Sequence, residues 1–128
     1  MFNKLLPITI IASSMAFAVP LSAQDLTRAQ KNAVRSANSY LEVSGFSRVG
    51  LISQLSSEYG NGYDVRDATV AVDSLSVDWN TQAVRSANSY LEISGFSCNG
   101  LIDQLSSKYG NEYTQSQARY GAQQAGAC

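Results

Sequence analysis

The sequence contains no histidine, and this absence bears first on catalysis. Histidine is the commonest general base and a frequent metal ligand, so a chain without it lacks the usual means of proton transfer near neutral pH. No glycine-rich phosphate loop and no cysteine spacing typical of a metal site is present either. We therefore expect neither an enzyme nor a protein that carries a metal or another cofactor.

Charged residues are also scarce, at 15% of the 128 residues, and the formal net charge is −1. Lys4 is the one charged residue among the first 23, so removal of that segment would change the net charge to −2. Proteins that bind nucleic acids carry clustered basic charge, and the sequence has no such cluster. We expect no nucleic-acid partner.

The amino-terminal segment has the pattern of a secretory signal peptide. Lys4 precedes an uncharged apolar run over residues 5–18, and small residues lead up to Ala23. The run is shorter than the roughly 20 apolar residues that a membrane-spanning helix requires. We predict that residues 1–23 form a signal peptide cleaved after Ala23, and cleavage after Ala18 is the alternative.

The rest of the chain contains an internal duplication. Residues 33–63 and 83–113 are identical at 25 of 31 positions, at an offset of 50. A self-match at a fixed period is the sequence sign of a repeated structural unit. We therefore predict two homologous units, one over residues 24–78 and the other over residues 79–128.

Each unit has the pattern of three helices. In the first unit, apolar residues recur at steps of three and four in two stripes, which are Val34, Ala37, Tyr40 and Leu41, then Leu51, Ile52, Leu55 and Tyr59. Asp64 is the predicted cap of a third helix, and Thr114 opens a capping-box pattern at the equivalent position. The predicted fold class is all-α, with two tandem three-helix, helix-turn-helix-like repeats. We expect the repeats to pack together, because one unit alone buries little apolar surface.

Glycines and small polar residues separate the predicted helices. We expect four glycines to end helices in the left-handed conformation, namely Gly45, Gly60, Gly95 and Gly110. After the first of them, Phe46 is predicted to insert between two helices as a hydrophobic pin, and Phe96 repeats it. At the join of the repeats, Asp78 is the predicted cap of the fourth helix and Trp79 the predicted plug between the units.

The two cysteines are predicted to form a disulfide. Cys98 and Cys128 belong to an exported region, where a pair of thiols is more often bonded than reactive. The repeat offset places them on Arg48 and Asp78 of the first unit, which could form an ion pair. A disulfide would then replace a salt bridge in the second unit. A free or intermolecular thiol at a mobile chain end is the alternative.

Candidate partner-binding residues lie around the third helix and the connector that follows it. Four are acidic, Asp64, Asp67, Asp73 and Asp78, and as helix caps they need no partner, although together they would suit a basic segment. Among the tyrosines, we predict core positions for Tyr40, Tyr59, Tyr90 and Tyr109, which lie on the apolar stripes. The freer tyrosines are Tyr63, Tyr113 and Tyr120, and we add Tyr63 and Tyr113 to the candidate set.

A long motif occurs twice, SANSYL-x-x-SGFS-x-x-GLI-x-QLSS-x-YG-x-x-Y, and the connector VDSLSVDWN over residues 72–80 joins the two copies. In these strings the chain resembles the host cell surface-exposed lipoprotein family, also called Ltp-type proteins. The resemblance covers essentially the whole chain beyond the signal peptide. It implies a fold of two helix-turn-helix-like repeats and a role in superinfection exclusion. In that role, a protein outside the cytoplasmic membrane blocks phage DNA injection by binding a phage tail or tape measure protein.

The sequence departs from the family at the site of lipid attachment. Leu21-Ser22-Ala23 would form a lipobox if cysteine followed, but Gln24 stands there. We therefore expect a monomer without a lipid anchor that is periplasmic or secreted, since stable anchoring needs acyl chains or a spanning helix. The alternative function is a cell-envelope structural or adhesion module that binds peptidoglycan or another envelope protein.

Overall fold

The computed structural model describes residues 25–128, and over that range it consists of six helices without strands. They are α1 (Arg28–Val43), α2 (Arg48–Ser56), α3 (Val65–Asp73), α4 (Trp79–Ile93), α5 (Cys98–Ser106) and α6 (Gln115–Gln124). The prediction of an all-α fold with three helices in each half is confirmed. The proposed signal peptide and its cleavage site between Ala23 and Gln24 lie outside the described residues.

Side-chain caps determine where the helices begin. The N-caps are Thr27, Ser47, Asp64, Asp78, Ser97 and Thr114, and each accepts a hydrogen bond from a backbone N–H of the first helical turn. Thr114 and Gln117 form the predicted capping box, in which each side chain bonds the other residue's backbone N–H. These bonds satisfy N–H groups that have no partner inside a helix. The predicted starts of α3, α4 and α6 are therefore confirmed.

The predicted left-handed caps are wrong. Positive φ angles within residues 25–128 occur at Gly62, Glu112 and Gly126, and at none of the four glycines predicted to end helices. The C-caps of α1 and α4 are Ser44 and Ser94, both of which have extended backbone. The glycines after these helices therefore do not serve as left-handed caps.

Two of the four glycines instead allow a close approach of the backbone. A Cβ atom at Gly60 would lie 2.1 Å from the carbonyl oxygen of Gln54, and one at Gly110 would lie 2.1 Å from that of Gln104. Any side chain at either position would displace the backbone of the preceding helix. These glycines permit the tight turns that follow α2 and α5.

Each repeat has its own hydrophobic core. In both repeats the third helix packs on the first two, α3 on α1 and α2, and α6 on α4 and α5. The buried residues of the first core are Ala37, Leu51, Leu55, Ala68 and Val72. Those of the second core are Ala83, Ala87, Leu101, Ile102, Leu105, Tyr113, Ala118 and Ala122. Each fully buried leucine contributes roughly 1.5–3 kcal/mol to stability, so each three-helix unit has an independent source of stability.

Aromatic rings border both cores. Phe46 packs edge to face on Tyr40, with ring centroids 5.7 Å apart, and Phe96 packs in the same way on Tyr90 at 5.6 Å. Each ring pair lies against the core of its own repeat. Trp79 differs, because it begins α4 yet packs on the core of the first repeat. Trp79 therefore packs across the predicted boundary between the two repeats, which lies after residue 78. The position of that boundary stays a prediction.

The two repeats meet at a polar joint. Arg85 on α4 donates a hydrogen bond from Nη1 to the backbone carbonyl oxygen of Leu41, at 2.7 Å. Ser47 Oγ donates to the backbone carbonyl oxygen of Asn111. Gly45 is buried against α4, where a Cβ atom would lie 2.7 Å from Ser86 Oγ. The contact between repeats thus consists of these hydrogen bonds, the close approach at Gly45 and the packing of Trp79, and neither core includes buried residues of both repeats.

Cys98 and Cys128 are joined as a disulfide, which ties the first residue of α5 to the end of the chain. In the first repeat, the Arg48 guanidinium donates from Nε and Nη2 to the Asp73 carboxylate, at 2.6 and 2.8 Å. These hydrogen bonds hold the pKa of Asp73 below and that of Arg48 above its usual value. The prediction that Asp78 pairs with Arg48 is wrong, because the Asp78 carboxylate caps α4. The offset of 50 relates Cys98 to Arg48, but the partner of Cys98 at residue 128 does not correspond to the partner of Arg48 at residue 73. The C-terminal segment is therefore not equivalent to the connector.

Substitution of Gly45 and Gly95 by alanine provides a matched test of the joint. At Gly45 the new Cβ would meet α4, whereas at Gly95 no atom of the described residues lies within 4 Å, apart from those of its chain neighbours. We expect Gly45→Ala to lower the free energy of unfolding by about 1–3 kcal/mol through overpacking. Gly95→Ala should change it by no more than about 0.5 kcal/mol. Urea unfolding of both variants checks this, and equal effects at the two positions would contradict the described joint.

The disulfide should stabilise the second repeat far more than the ion pair stabilises the first. The bond closes a loop with a sequence separation of 30, so replacing both cysteines by serine should cost about 3–4 kcal/mol on the chain-entropy model. Asp73→Ala removes an exposed ion pair and should cost about 0–1 kcal/mol. Chemical unfolding under non-reducing conditions measures both losses. A larger loss for Asp73→Ala would overturn this ranking.

Candidate partner-binding surface

The four predicted acidic residues lie on α3 and on the connector, and each has a structural role. Asp64 and Asp78 are N-caps, and Asp67 accepts a hydrogen bond from Gln30 Nε2 at 3.1 Å, which links α3 to α1. Asp73 binds Arg48 at the other end of α3, about 13 Å further along the helix than Asp64. The structure therefore brings Asp64 and Asp67 together at one helix end and separates Asp73 from them.

The tyrosines are distributed differently from the prediction. Tyr59 and Tyr109 are 93% and 89% exposed, so their assignment to the core is wrong. The reason is local, because α2 and α5 end at Ser56 and Ser106 and leave each tyrosine in the turn that follows. A serine pair, separated from the tyrosine by one charged residue, and a glycine directly after the tyrosine mark this turn in the sequence. The predicted apolar stripes therefore extended beyond the ends of α2 and α5.

Tyr113 is buried and is not available to a partner. Its side chain is 2% exposed, and its hydroxyl group lies 2.7 Å from Ser86 Oγ. Burial raises the pKa of Tyr113 to about 12. The equivalent Tyr63 is half-buried, with its hydroxyl group 3.0 Å from Ser36 Oγ. The prediction of a partner contact is therefore wrong for Tyr113, while the accessible part of Tyr63 leaves that prediction open.

The exposed tyrosines occupy equivalent, hydrogen-bonded turns. We call residues 57–63 and 107–113 the tyrosine turns. In each, the backbone N–H of the exposed tyrosine donates to a serine Oγ at 3.1 Å, from Tyr59 to Ser57 and from Tyr109 to Ser107. Backbone hydrogen bonds also tie the end of each turn to the preceding helix. Each repeat therefore presents one aromatic ring on a constrained turn.

The surroundings of the two rings differ in charge. The Lys108 ammonium group lies 5.0 Å from the centroid of the Tyr109 ring, a distance suited to a cation–π contact. Glu58 occupies the corresponding position beside Tyr59. The two tyrosine turns thus combine the same aromatic group with opposite charges, so they are equivalent in shape but not in electrostatics.

The joint between the repeats borders a groove. A polar groove of about 360 Å³ at the joint is lined in part by Ser53, Gln54 and Glu112. Within residues 25–128, no group of three or more histidine, cysteine, aspartate or glutamate residues is placed to hold a metal ion. The helices of this same part of the chain are all too short or too polar to cross a bilayer.

The architecture defines a class of protein, a tandem pair of three-helix repeats in which each repeat has an exposed tyrosine on a turn. The sequence profile of the family described as "Host cell surface-exposed lipoprotein" matches residues 28–75 and 78–124. The chain therefore belongs to this family. No curated protein sequence matches it.

Among solved structures, the chain is similar to Ltp, a superinfection exclusion protein from the Streptococcus thermophilus temperate phage TP-J34. The two share 28% sequence identity with a TM-score of 0.69, and the match covers 77% of this chain and 96% of the Ltp chain. The similarity thus includes both repeats rather than one of them.

The buried hydroxyl pair offers a test of the difference between the two repeats. Tyr113→Phe leaves the buried Ser86 Oγ without its tyrosine partner, so we expect a loss of about 1–3 kcal/mol in the free energy of unfolding. Tyr63→Phe removes the more accessible equivalent and should cost less than about 1 kcal/mol. Urea unfolding near neutral pH gives both values, and the reverse order would show that Tyr113 is accessible in solution.

Tyr113 should also make stability depend on pH in alkaline solution. Its pKa in the folded state is about 12, above the value of about 10 for an unfolded tyrosine. The contribution of the neutral side chain is therefore fully present below about pH 10 and is lost as the pH rises towards 12. Unfolding free energies of the wild type should fall more steeply over this interval than those of Tyr113→Phe. Parallel curves would rule out this contribution.

Proposed function

We propose that this protein is a non-enzymatic superinfection exclusion protein that blocks phage DNA injection by binding a phage tail or tape measure protein. The similarity to Ltp, which spans both repeats and 96% of that chain, carries the proposal. The whole two-repeat architecture is shared, rather than a single helix-turn-helix unit, and this supports the proposal. A shared fold does not by itself determine function, so the infection experiment below is the deciding test.

A location outside the cytoplasmic membrane supports the proposal. The family is described as surface-exposed, and the disulfide between Cys98 and Cys128 is typical of oxidising compartments. The sequence around Ala23 and Gln24 favours a cleaved signal peptide over lipid attachment. We propose that the exported protein is periplasmic or secreted and meets phage components during injection.

The tyrosine turns are the surface that we propose for the partner. Aromatic rings are enriched at the centres of protein interfaces, and rings on constrained turns lose little conformational entropy on binding. Tyr59 and Tyr109 are nearly fully exposed, one in each repeat. An elongated helical partner could contact both, and simultaneous contact would raise the overall affinity if the spacing matches. The acidic pair Asp64 and Asp67 would add attraction for a basic segment.

The function is tested by phage infection of a host that expresses the chain with its own amino-terminal segment. Adsorption, genome entry and plating efficiency are measured for a panel of phages. Normal adsorption with blocked entry of at least one phage supports the proposal. Unimpeded entry of every phage, together with retention of the protein on purified peptidoglycan, would favour the envelope-binding alternative.

Removal of both exposed rings should weaken partner binding without affecting the fold. We expect Tyr59→Ser combined with Tyr109→Ser to reduce affinity for the blocked phage's tape measure protein by about tenfold or more, because interface tyrosines often contribute over 1 kcal/mol. Each single variant should lose less. Tyr120→Ser, which changes a partly exposed tyrosine on α6, is the matched control. Calorimetric titration measures the affinities. Unchanged affinity of the double variant would exclude the tyrosine turns as the binding surface.

A further inference from the structure

Identical residues in the two repeats differ in burial, and the differences mark both sides of the joint. The residues on one side are covered in the first repeat and exposed in the second. Those on the other side are covered in the second repeat and more accessible in the first. The pairs that show this are Gly45 and Gly95, Ser47 and Ser97, Ser86 and Ser36, and Tyr113 and Tyr63. Each repeat therefore carries both halves of the same contact, and only one half is used in each.

The turn surface is the first half of the contact. In the first repeat it consists of the Leu41 carbonyl group, which accepts the hydrogen bond from the arginine, and of three small residues that follow α1 in the chain. These residues are Gly45, Ser47 and Gly50. The arginine surface is the second half. It consists of Arg85, Ser86 and Asn111 in the second repeat, with Gln82 Oε1 accepting a further hydrogen bond from Arg85 Nη1 at 2.9 Å.

The unused halves have nearly the same composition. The free turn surface of the second repeat consists of Leu91, Gly95, Ser97 and Gly100. The free arginine surface of the first repeat consists of Arg35, Ser36 and Asn61, and Asn32 replaces the glutamine. Arg35 is exposed and has no side-chain hydrogen bond within residues 25–128. It lines an open groove with Asn32, Ser36, Ser39 and Tyr63.

We propose that the arginine surface of one molecule binds the turn surface of a second copy of this chain and reproduces the internal joint between molecules. The two contacting surfaces differ, so the interface is heterologous and runs head to tail. Its expected bonds follow the internal joint, with Arg35 donating to the Leu91 carbonyl oxygen and Ser97 donating to the Asn61 carbonyl oxygen. The inference is independent of the partner proposed above.

The few residues that differ between the halves remain compatible in charge. In the internal joint, Glu112 of one repeat lines the groove beside Ser53 of the other. Between molecules, Gly62 would stand in the place of Glu112, and Asp103 in the place of Ser53. The groove would again contain one carboxylate rather than two. The exchange avoids the repulsion that two neighbouring carboxylates would cause.

The contact between molecules should be weaker than the internal joint. Trp79 contributes to the internal contact, and the repeat offset places the much smaller Ala29 at its position. The connector also tethers the internal halves, and a short tether corresponds to an effective concentration of about 1 mM. At about 1 mM, two separate molecules meet as often as the tethered halves do, so association should become detectable near that concentration or where the exported protein is locally concentrated.

Two substitutions block one surface each and leave the internal joint unchanged. Gly95→Leu fills the free turn surface, and among residues 25–128, apart from its chain neighbours, no atom lies within 4 Å of the new Cβ position. Arg35→Glu reverses the charge of the free arginine surface at an exposed position. Thermal unfolding midpoints that match the wild type establish that both variants fold. Sedimentation equilibrium of the oxidised protein then gives the average mass as a function of concentration.

We expect the average mass of the wild type to exceed that of the monomer at about 1 mM, while each variant alone remains monomeric. An equimolar mixture should form heterodimers, because the Gly95→Leu protein keeps its arginine surface and the Arg35→Glu protein keeps its turn surface. A wild type that is monomeric at this concentration overturns the proposal. So does a mixture that fails to associate, or a single variant that associates as well as the wild type.

Discussion

The packing of the third helix of each repeat on the first two is the interaction on which the rest of the structure depends. Helices α1 and α2 contact each other less than either contacts α3, and the same holds for α4, α5 and α6. The third helices are short and bury only small side chains, which are Ala68, Ala71 and Val72 on α3, and Ala118, Gly121 and Ala122 on α6. A Cβ atom at Gly121 would lie 2.7 Å from the Ala83 carbonyl oxygen, so α6 approaches α4 closely. Close approach compensates for the small apolar area, and both repeats add a bond from the start of their second helix. That bond is the ion pair with Asp73 in the first repeat and the disulfide to Cys128 in the second.

The sequence was sufficient to predict features that depend on neighbouring residues. Helix caps such as Asp64 and Thr114 act within one turn, and the apolar spacing reports helices directly. The end of α2 was missed because the apolar stripe continued to Tyr59 after the hydrogen-bonded helix had ended. The opposite environments of Gly45 and Gly95 could not be predicted, since each lies in the same local sequence, SGFS. Only the position of the other repeat distinguishes them. The same reason applies to Tyr113, which is buried where Tyr63 is not.

Duplication therefore produced equivalent surfaces and then made them unequal. The tyrosine turns remain exposed in both repeats, because the joint does not cover Tyr59 or Tyr109. The turn surface is covered in the first repeat and the arginine surface in the second, because these two surfaces contact each other at the joint. Two kinds of contact are thus available at separate places. The two exposed rings are the surface that we propose for a partner, whereas the unused halves of the joint are the surfaces that we propose for a second copy of the chain.

The polarity of the joint has a consequence for how two binding sites could act together. Contacts between domains that consist of hydrogen bonds resemble transient interfaces, and their geometry changes at a lower free-energy cost than that of a shared apolar core. Here the principal contacts are the bond from Arg85 to the Leu41 carbonyl oxygen, the bond from Ser47 to the Asn111 carbonyl oxygen, and the packing of Trp79. Both cores would survive a small rotation of one repeat relative to the other, since neither core includes buried residues of both repeats. Such a rotation would change the separation of the two tyrosine turns while leaving each turn intact. A two-repeat protein with separate cores would therefore be able to adjust the separation of its two exposed tyrosine turns, which a single fused core would not permit.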